Sequence, residues 1–221
     1  MTDLASDSAA FDVDFVADVV CPWCYVGWAR LKRTFALRPL VQPRIRWRPY
    51  QLNPELPAEG VDRKALMAAK FGAEPGRLGA VQESLMRQAA EDGLELKFDE
   101  IRLSPNTNAA HRLITWAELE GRGPEVAEAV MRAYFTELRD IGDPEALADI
   151  AAEHGMDREP VARRFVQGAG KDFVDQACDT AMRSGIQGVP FMIFASRVAV
   201  SGAHLPEDLV QAIDKALEPA A

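Results

Sequence analysis

The chain has 221 residues, which suits one domain or one domain carrying a large insertion, since single hydrophobic cores stop growing near roughly 250–300 residues. Hydrophobic residues make up 48% and charged residues 27%, a globular balance that excludes disordered and fibrous classes. The formal net charge of −9 argues against a protein that binds nucleic acid or anionic membranes through a basic face. The longest uncharged segment, Ser184–Ser196, is shorter than the roughly 18 apolar residues of a membrane helix.

The N-terminal residues 1–10 carry neither a basic segment nor an apolar segment, so they do not resemble a secretory signal. The chain has three cysteines, and this odd, low number does not form a disulfide framework. In a reducing compartment, thiols serve as catalysts, metal ligands or core residues. We therefore expect a cytoplasmic protein with a short frayed tail over residues 1–10.

The first predicted elements are a strand followed directly by a helix. Apolar and acidic residues alternate over 11–18, which predicts a strand with one buried face. The next apolar residues recur at helical spacing until Pro39, so a helix fills most of the interval. The apolar stripe of this helix consists of Cys24, Trp28, Leu31 and Phe35.

A second strand follows the helix. Arginines at positions 44, 46 and 48 alternate strictly with Ile45 and Trp47, which is typical of a strand with one solvated face. Charged residues on a strand discourage pairing with other chains. The pattern therefore predicts a strand at the edge of the sheet.

A long helical block occupies the middle of the chain, from about residue 55 to 170, with Leu94–Phe98 as the one candidate strand. Ser104 before Pro105 and Asp143 before Pro144 have the pattern of an N-cap followed by proline at the first helical position. We predict that residues 55–170 form an all-helical insertion. Gly121, Gly155 and Gly185 mark predicted helix ends.

The C-terminal part returns to strands. Phe191–Ala195 is a short apolar run, which predicts a strand buried on both faces, and Val198–Ser201 is its expected neighbour across a tight turn at Ser196-Arg197. Pro206 opens a last amphipathic helix. The order β-α-β, helical block, β-β-α predicts an α/β fold with one four-stranded mixed sheet. Its discontinuous sheet domain would comprise residues 11–54 and 171–217.

The tetrapeptide Cys21-Pro22-Trp23-Cys24 stands where the first strand meets the first helix. Cys21 precedes the first turn, where unpaired N–H groups and the helix dipole favour a thiolate, so we expect a lowered pKa and an attacking sulfur. Cys24 lies one turn further and begins the buried stripe. It should therefore be shielded and able to resolve a mixed disulfide at Cys21.

Two other interpretations of this cysteine pair are open. A structural zinc site needs four ligands, and the sequence offers no second CxxC or HxxxH pair. Two plain core cysteines are the other alternative. A CxxC beside a βαβ pattern favours redox chemistry over both, and we predict no metal site.

Three further residues are weaker candidates. Cys178 lies on an apolar helix stripe and is predicted to be a small buried side chain. His111 is either catalytic or a satisfied structural residue. Asp18 either tunes the thiol, accepts a proton, or is a solvated loop or capping carboxylate.

Several segments together resemble the DsbA family of thioredoxin-fold oxidoreductases, in its FrnE-like branch, over about residues 11–217. These segments are Asp18–Gly27 (DVVCPWCYVG), Trp47–Pro54 (WRPYQLNP), Ser104–Thr107 (SPNT) with Ala110–Arg112 (AHR), Gly188–Phe191 (GVPF) and Ser201–Ala203 (SGA). The resemblance implies a thioredoxin fold interrupted by a helical domain. It also implies a nucleophilic Cys21, a resolving Cys24 and a cis peptide bond at Val189-Pro190 that faces the two sulfurs.

The resemblance also implies where substrates bind. It places the Ser104–Thr107 turn near the CxxC motif, so that Asn106 and His111 would line the substrate groove. Pro22, Trp23, Val189 and Pro190 are the other predicted substrate contacts. The alternative for the helical part is that Ser104 caps a helix and His111 packs at a domain seam.

The predicted function is therefore that of a thiol–disulfide oxidoreductase acting on protein or small-molecule thiols and disulfides. A glutathione-dependent isomerase or transferase of the kappa type shares the architecture, but such enzymes typically have Ser where this chain has Cys21. A non-catalytic peptide-binding or chaperone protein is the alternative from another class. We expect no bound cofactor beyond the Cys21–Cys24 disulfide, with glutathione as a candidate co-substrate, and no nucleic-acid or membrane partner.

Overall fold

The structure is a computed structural model that describes residues 10–72 and 75–219, so residues 1–9 of the predicted tail lie outside the description. In chain order the elements are β1 (Phe11–Ala17), α1 (Pro22–Ala36), β2 (Pro43–Pro49), β3 (Val61–Asp62), α2 (Arg63–Phe71), α3 (Pro75–Glu91), β4 (Leu103–Ser104), α4 (Asn108–Leu119), α5 (Gly123–Phe135), α6 (Pro144–Glu153), α7 (Arg158–Val166), α8 (Lys171–Arg183), β5 (Phe191–Phe194), β6 (Val198–Ser201) and α9 (Pro206–Leu217).

The main sheet has four strands in the order β2-β1-β5-β6. β1 pairs in parallel with β2 and antiparallel with β5, and β5 pairs antiparallel with β6. Parallel neighbouring strands need a crossover connection, usually a helix, and α1 supplies it between β1 and β2. The predicted α/β fold, a thioredoxin fold with a helical insertion, is confirmed. The domain boundaries at residues 54/55 and 170/171 remain predictions.

The edge position of β2 is confirmed, and its arginines pair with the neighbouring strand. The parallel register sets Asp12 beside Arg44 and Asp14 beside Arg46. Arg44 donates to Asp12 at 2.6 and 2.8 Å, and Arg46 and Arg48 donate to Asp14 Oδ1 at 3.1 and 2.8 Å. The alternating acids of β1 and the alternating arginines of β2 therefore form one ladder of charges across the two strands.

The helical block differs from the prediction in two places. Leu94–Phe98 is not a strand, because it pairs with no other strand in the described chain. Leu96 and Phe98 are buried, and Lys97 N donates to Phe135 O of α5. Ser104 is not a helix cap, because it belongs to β4, which pairs with β3. Strands of two residues are too short to produce a hydrophobic period. By contrast, Asp143 caps α6 as predicted, accepting from Glu145 N at 3.0 Å.

The strand β5 is buried on one face rather than on both. Met192 and Phe194 are fully buried, whereas Phe191 and Ile193 are half-buried. The turn into β6 also lies one residue earlier than predicted. Ala195 and Ser196 are its central residues, with φ of 48° and 56°, and these paired positive values are typical of a hairpin turn that follows the twist of the strands.

The sheet and the helical insertion share one hydrophobic core. A single buried cluster includes residues of β1 and α1 as well as residues of α4, α5 and α6. At the junction, Tyr25 of α1 stacks on Phe135 of α5 with ring centroids 5.9 Å apart. The insertion is therefore packed directly onto the sheet unit. Within the described ranges, no helix is long and apolar enough to cross a membrane.

Candidate active site

The CxxC motif lies at the N-terminus of α1, as predicted. Cys21 occupies the N-cap position with extended backbone angles, and Pro22 is the first residue of the helix. The carbonyl of Cys21 accepts from Cys24 N at 2.9 Å, and Cys21 N donates to Asp18 O at 3.0 Å. The first cysteine thus stands outside the helix and the second inside its first turn. Pro22 and Trp23, between them, are half-buried.

The two thiols are free and differ in burial, although less than predicted. Cys24 is 0% exposed and Cys21 is 5% exposed, so Cys21 is the more accessible sulfur but is not an open surface thiol. Burial raises the pKa of the Cys24 thiol well above its usual value, and the hydrogen bond and charge of Cys21 act in the same direction. A backbone hydrogen bond from Asp18 opposes this shift. Cys24 is therefore a protonated thiol near neutral pH.

The Val189-Pro190 peptide bond is cis in the structure, and it lies beside the motif. The thiol of Cys21 donates to Val189 O across 3.7 Å. Gly27 of α1 faces the same proline so closely that a Cβ at this position would lie 2.9 Å from Pro190 Cγ. On the other side, Gly202 N donates to Pro190 O at 2.8 Å. Helix α1, the entrance of β5 and the loop after β6 therefore meet at Pro190.

Asp18 is a buried carboxylate behind the motif and not a solvated cap. Its side chain is fully buried, and its Oδ2 accepts from Leu52 N at 2.8 Å. Its Oδ1 has no hydrogen-bond partner among the described residues, although Nε2 of His111 lies 3.4 Å away. A buried carboxylate oxygen without a donor is costly, so Oδ1 can accept a further hydrogen bond.

His111 is fully buried at the seam between the sheet and α4, and this corrects the prediction that it lines the substrate groove. Trp47 Nε1 donates to His111 Nδ1 at 3.1 Å. Because an indole N–H can only donate, Nδ1 is the accepting nitrogen and Nε2 carries the proton. Nε2 then donates to Tyr50 O at 3.1 Å. Both ring nitrogens are engaged within the chain, and the ring has no surface to offer a substrate.

Asn106 lies on a cavity wall, but the chain itself uses its amide. Its Oδ1 accepts from Gln51 Nε2 at 3.1 Å and from Asn108 N at 2.9 Å, and its Nδ2 donates to Leu56 O at 2.7 Å. These bonds hold the loop after β2 against the start of α4. The geometry makes Asn106 a residue that shapes the cavity, and direct contact with a substrate stays a prediction.

Sequence reasoning undervalued Asp18 for a physical reason. The residues of β1 alternate between faces, and Asp18 has the parity of Asp12 and Asp14, whose carboxylates are on the less buried face. The chain leaves the strand after Ala17, so this parity no longer applies.

Cys178 is buried as predicted, at 5% exposure, and burial raises the pKa of its thiol to about 12. Among the residues with a described position, no cluster of three potential metal ligands occurs.

Comparisons with known proteins agree with this arrangement. The chain is 30% identical to the structure of the probable DsbA oxidoreductase SCO1869 from Streptomyces coelicolor, with a TM-score of 0.85 and coverage of 96% of this chain and 93% of that one. It is 26% identical over 183 residues to YwbO of Bacillus subtilis (strain 168), covering 82% of this chain and 86% of YwbO.

A more distant structure shares the fold. The cytosolic disulfide reductase DsbM from Pseudomonas aeruginosa, solved with GSH, is 20% identical with a TM-score of 0.60, and the match covers 93% of this chain and 95% of that one. The family model of the DSBA-like thioredoxin domain matches residues 12–214. The FrnE-like branch within this family remains a prediction. With nearly its whole length matched, the chain belongs to the DSBA-like thioredoxin domain family.

Proposed function

We propose that this protein is a thiol–disulfide oxidoreductase that exchanges disulfides with protein or small-molecule thiols through Cys21 and Cys24. The observation that carries the proposal is the asymmetry of the pair. Cys21 caps α1 beside Pro190, whereas Cys24 is fully buried one turn behind it with a raised pKa. This asymmetry supports the proposal that Cys21 reacts with the substrate and that Cys24 reacts only with Cys21.

The exchange proceeds in two steps. The Cys21 thiolate attacks one sulfur of a substrate disulfide, so that a Cys21–substrate bond forms and the other substrate sulfur leaves as a thiolate. The Cys24 thiolate then attacks the Cys21 sulfur, and the second substrate thiolate leaves. Two electrons pass from the protein dithiol to the substrate, and a Cys21–Cys24 disulfide remains. The same steps in reverse donate a disulfide.

Asp18 is the proposed proton acceptor for Cys24. The second step needs a thiolate, but burial keeps Cys24 protonated near neutral pH. The backbone of Asp18 forms a hydrogen bond with the sulfur of Cys24. The side-chain Oδ1 of Asp18 is fully buried and has no hydrogen-bond partner among the described residues. His111 cannot take the proton without losing the hydrogen bond from Trp47. The carboxyl group of Asp18, whose Oδ1 has no donor among the described residues, is therefore the proposed acceptor.

We propose substrate contacts around Cys21, the more accessible of the two cysteines. Pro22 and Trp23 form the first turn of α1, and Val189 offers a backbone carbonyl next to Cys21. A substrate segment that pairs with the backbone of Val189 would bring its disulfide to Cys21.

Glutathione is the proposed small-molecule co-substrate, and a reducing cytoplasm is the proposed compartment. DsbM, which shares the fold, is a cytosolic disulfide reductase solved with GSH. The two cysteines of this chain distinguish it from the kappa-type enzymes with Ser at the first position. They therefore favour disulfide exchange over glutathione-dependent isomerisation or transfer.

The test is the reduction of insulin by the full chain in the presence of glutathione. We expect turnover by the wild type and by Cys178→Ala, whose changed residue lies on α8, and none by Cys21→Ser. Equal activity of wild type and Cys21→Ser would refute the oxidoreductase. A folded wild type that suppresses insulin aggregation without reducing insulin would identify a chaperone instead.

A further inference from the structure

A cavity of about 710 Å³ lies between α8 and the helical insertion, and the exchange mechanism does not use it. Helix α8 forms one wall, and the opposite wall comes from the loop after β2 and the start of α4. Cys21, Cys24 and Pro190 are not among its lining residues. Its volume falls within the range of roughly 300–1,000 Å³ that is typical of small-molecule sites.

A buried arginine lines this cavity. Arg112 is 8% exposed, and no carboxylate pairs with it among the residues that the structure describes. Its Nε donates to Ala169 O at 2.6 Å, and its Nη2 donates to the carbonyls of Arg164 and Phe165 at 3.3 and 3.4 Å. Its Nη1 donates to no atom of the described chain. The rings of Trp116 and Phe165 lie 5.4 and 5.2 Å from its Cζ, but no described carboxylate balances its charge, so the remaining donor suits an anionic ligand.

A second cation adjoins the same cavity. Lys171 is the first residue of α8 and forms no ion pair within the described part of the chain. Gly170, which precedes it, approaches Arg112: a Cβ on this glycine would lie 3.6 Å from Arg112 Cγ. Lys171 and Arg112 therefore belong to the same end of the cavity, where the N-terminal dipole of α8 adds to their positive charge.

Hydrogen-bond acceptors follow further along the cavity. Asp175 and Asp179 line it one and two turns after Lys171, and only Asp175 has a donor in the described chain, Asn108 Nδ2 at 2.8 Å. At a rise of about 1.5 Å per residue, they lie roughly 6 and 12 Å along the helix axis from Lys171. Gln51 is 6% exposed, and its Oε1 likewise accepts from no described residue. The cavity is thus positive at one end and negative along its length.

We propose that this cavity binds a short peptide with free termini, of two or three residues. Its terminal carboxylate is held by Arg112 and Lys171, and its terminal ammonium faces Asp175 and Asp179. An extended peptide spans at most about 3.3–3.6 Å per residue, so two or three residues bridge the separation of roughly 6–12 Å between these charges. The ligand needs no thiol, and the site is therefore independent of the exchange at Cys21.

Isothermal titration of the full chain with triglycine tests the site. Triglycine should bind, whereas triglycine amide and N-acetyl-triglycine, which lack the carboxylate and the ammonium respectively, should each bind at least about tenfold more weakly. Lys171→Gln should weaken triglycine binding by a similar factor. Lys215→Gln removes the same charge from an exposed site on α9 and should leave binding unchanged. A double variant Cys21→Ser/Cys24→Ser should also bind normally, which separates this site from disulfide exchange.

Arg112 also supports the end of α7 through its carbonyl contacts, so Arg112→Gln can unfold the chain and is not the deciding variant. Lys171→Gln and Asp179→Asn decide instead, because both side chains are exposed and unpaired in the described chain. The proposal is overturned if triglycine does not bind, if the three peptides bind equally, or if neither variant weakens binding. Arg112 would then be a support for the end of α7 and nothing more.

Discussion

Trp47 donates its indole N–H to Nδ1 of His111 across 3.1 Å, and this bond joins the edge strand of the sheet to helix α4 of the insertion. The second nitrogen of the histidine lies 3.1 Å from Tyr50 O and 3.4 Å from Asp18 Oδ1. One buried ring therefore links β2, the loop after it and the segment that leads into the CxxC motif. Its role is to hold these parts in register.

His111→Leu should destabilise the protein strongly. The substitution keeps an apolar side chain but leaves the indole N–H of Trp47 and the carbonyl of Tyr50 buried without partners. Each lost partner costs about 1–3 kcal/mol, so the free energy of unfolding should fall by about 2–6 kcal/mol in denaturant titrations. His154→Leu is the control: among the described residues the His154 side chain pairs only with the exposed Glu125, so its loss should leave the free energy of unfolding nearly unchanged. Equal losses in the two variants would contradict this role.

The strands and helices with clear periodicity could be predicted from the sequence. The acid–apolar alternation of β1, the arginine alternation of β2 and the Asp143-Pro144 cap of α6 each reflect a local rule, and each appears where that rule puts it. β3 and β4 could not be predicted, since two residues carry no period. Leu94–Phe98 has the alternating apolar residues of a strand, but only Leu96 and Phe98 are buried, and Phe98 packs on Phe135 of α5.

The cysteine pair could be located from the sequence, whereas its surroundings could not. The positions of Cys21 and Cys24 follow from the helix that begins at Pro22. The burial of Asp18 and His111 depends on contacts with residues that are 34 and 64 positions away in the chain, Leu52 and Trp47. No local pattern encodes such distant contacts. For this reason the local pattern favoured a solvated Asp18, and it left the choice for His111 between the groove that the resemblance implies and a domain seam.

Cys24→Ala should trap mixed disulfides with substrate proteins. Attack by Cys21 survives in this variant, but the sulfur that releases the substrate is gone. Non-reducing gels of cell extracts should show adducts that disappear on reduction. Cys21→Ala is the matched control and should give none, because Cys24 is fully buried. Equal trapping by both variants would show that the order of attack is wrong.

Gly27→Ala should disturb the contact between α1 and Pro190. The added Cβ would lie 2.9 Å from Pro190 Cγ, 3.4 Å from Met192 Cε and 3.5 Å from Ala203 Cβ. Overpacking of this kind costs about 1–3 kcal/mol, so the thermal midpoint and the exchange rate should both fall.

The control for this variant is Gly79→Ala in α3, where a Cβ meets nothing within 4 Å. Alanine is the better helix former by about 1 kcal/mol, so this change should stabilise the protein slightly and leave exchange unaffected. A normal exchange rate in Gly27→Ala, with stability lowered as expected, would show that the contact with Pro190 supports the fold and not the reaction.

Asp18→Asn separates two effects of the buried carboxylate that act in opposite directions. The charge of Asp18 raises the pKa of the Cys24 thiol, so its removal alone would increase the thiolate fraction and speed resolution. If Asp18 also accepts the proton of Cys24, its removal slows resolution. General bases contribute about 10²–10⁴-fold, which exceeds the expected electrostatic gain, so we expect a slower second step near neutral pH. Asparagine keeps the oxygen that accepts from Leu52 N, which preserves the fold.

The measurement is stopped-flow reaction of the reduced protein with an aromatic disulfide that releases a coloured thiol. The first release reports attack by Cys21, and the second reports resolution by Cys24. In Asp18→Asn, solvent must deprotonate Cys24, and a thiol with a raised pKa ionises only as the pH increases. The second rate should therefore climb about tenfold per pH unit toward that raised pKa, starting from a low value at neutral pH. A second phase that is faster than in the wild type at neutral pH would leave Asp18 with an electrostatic effect alone and exclude it as the base.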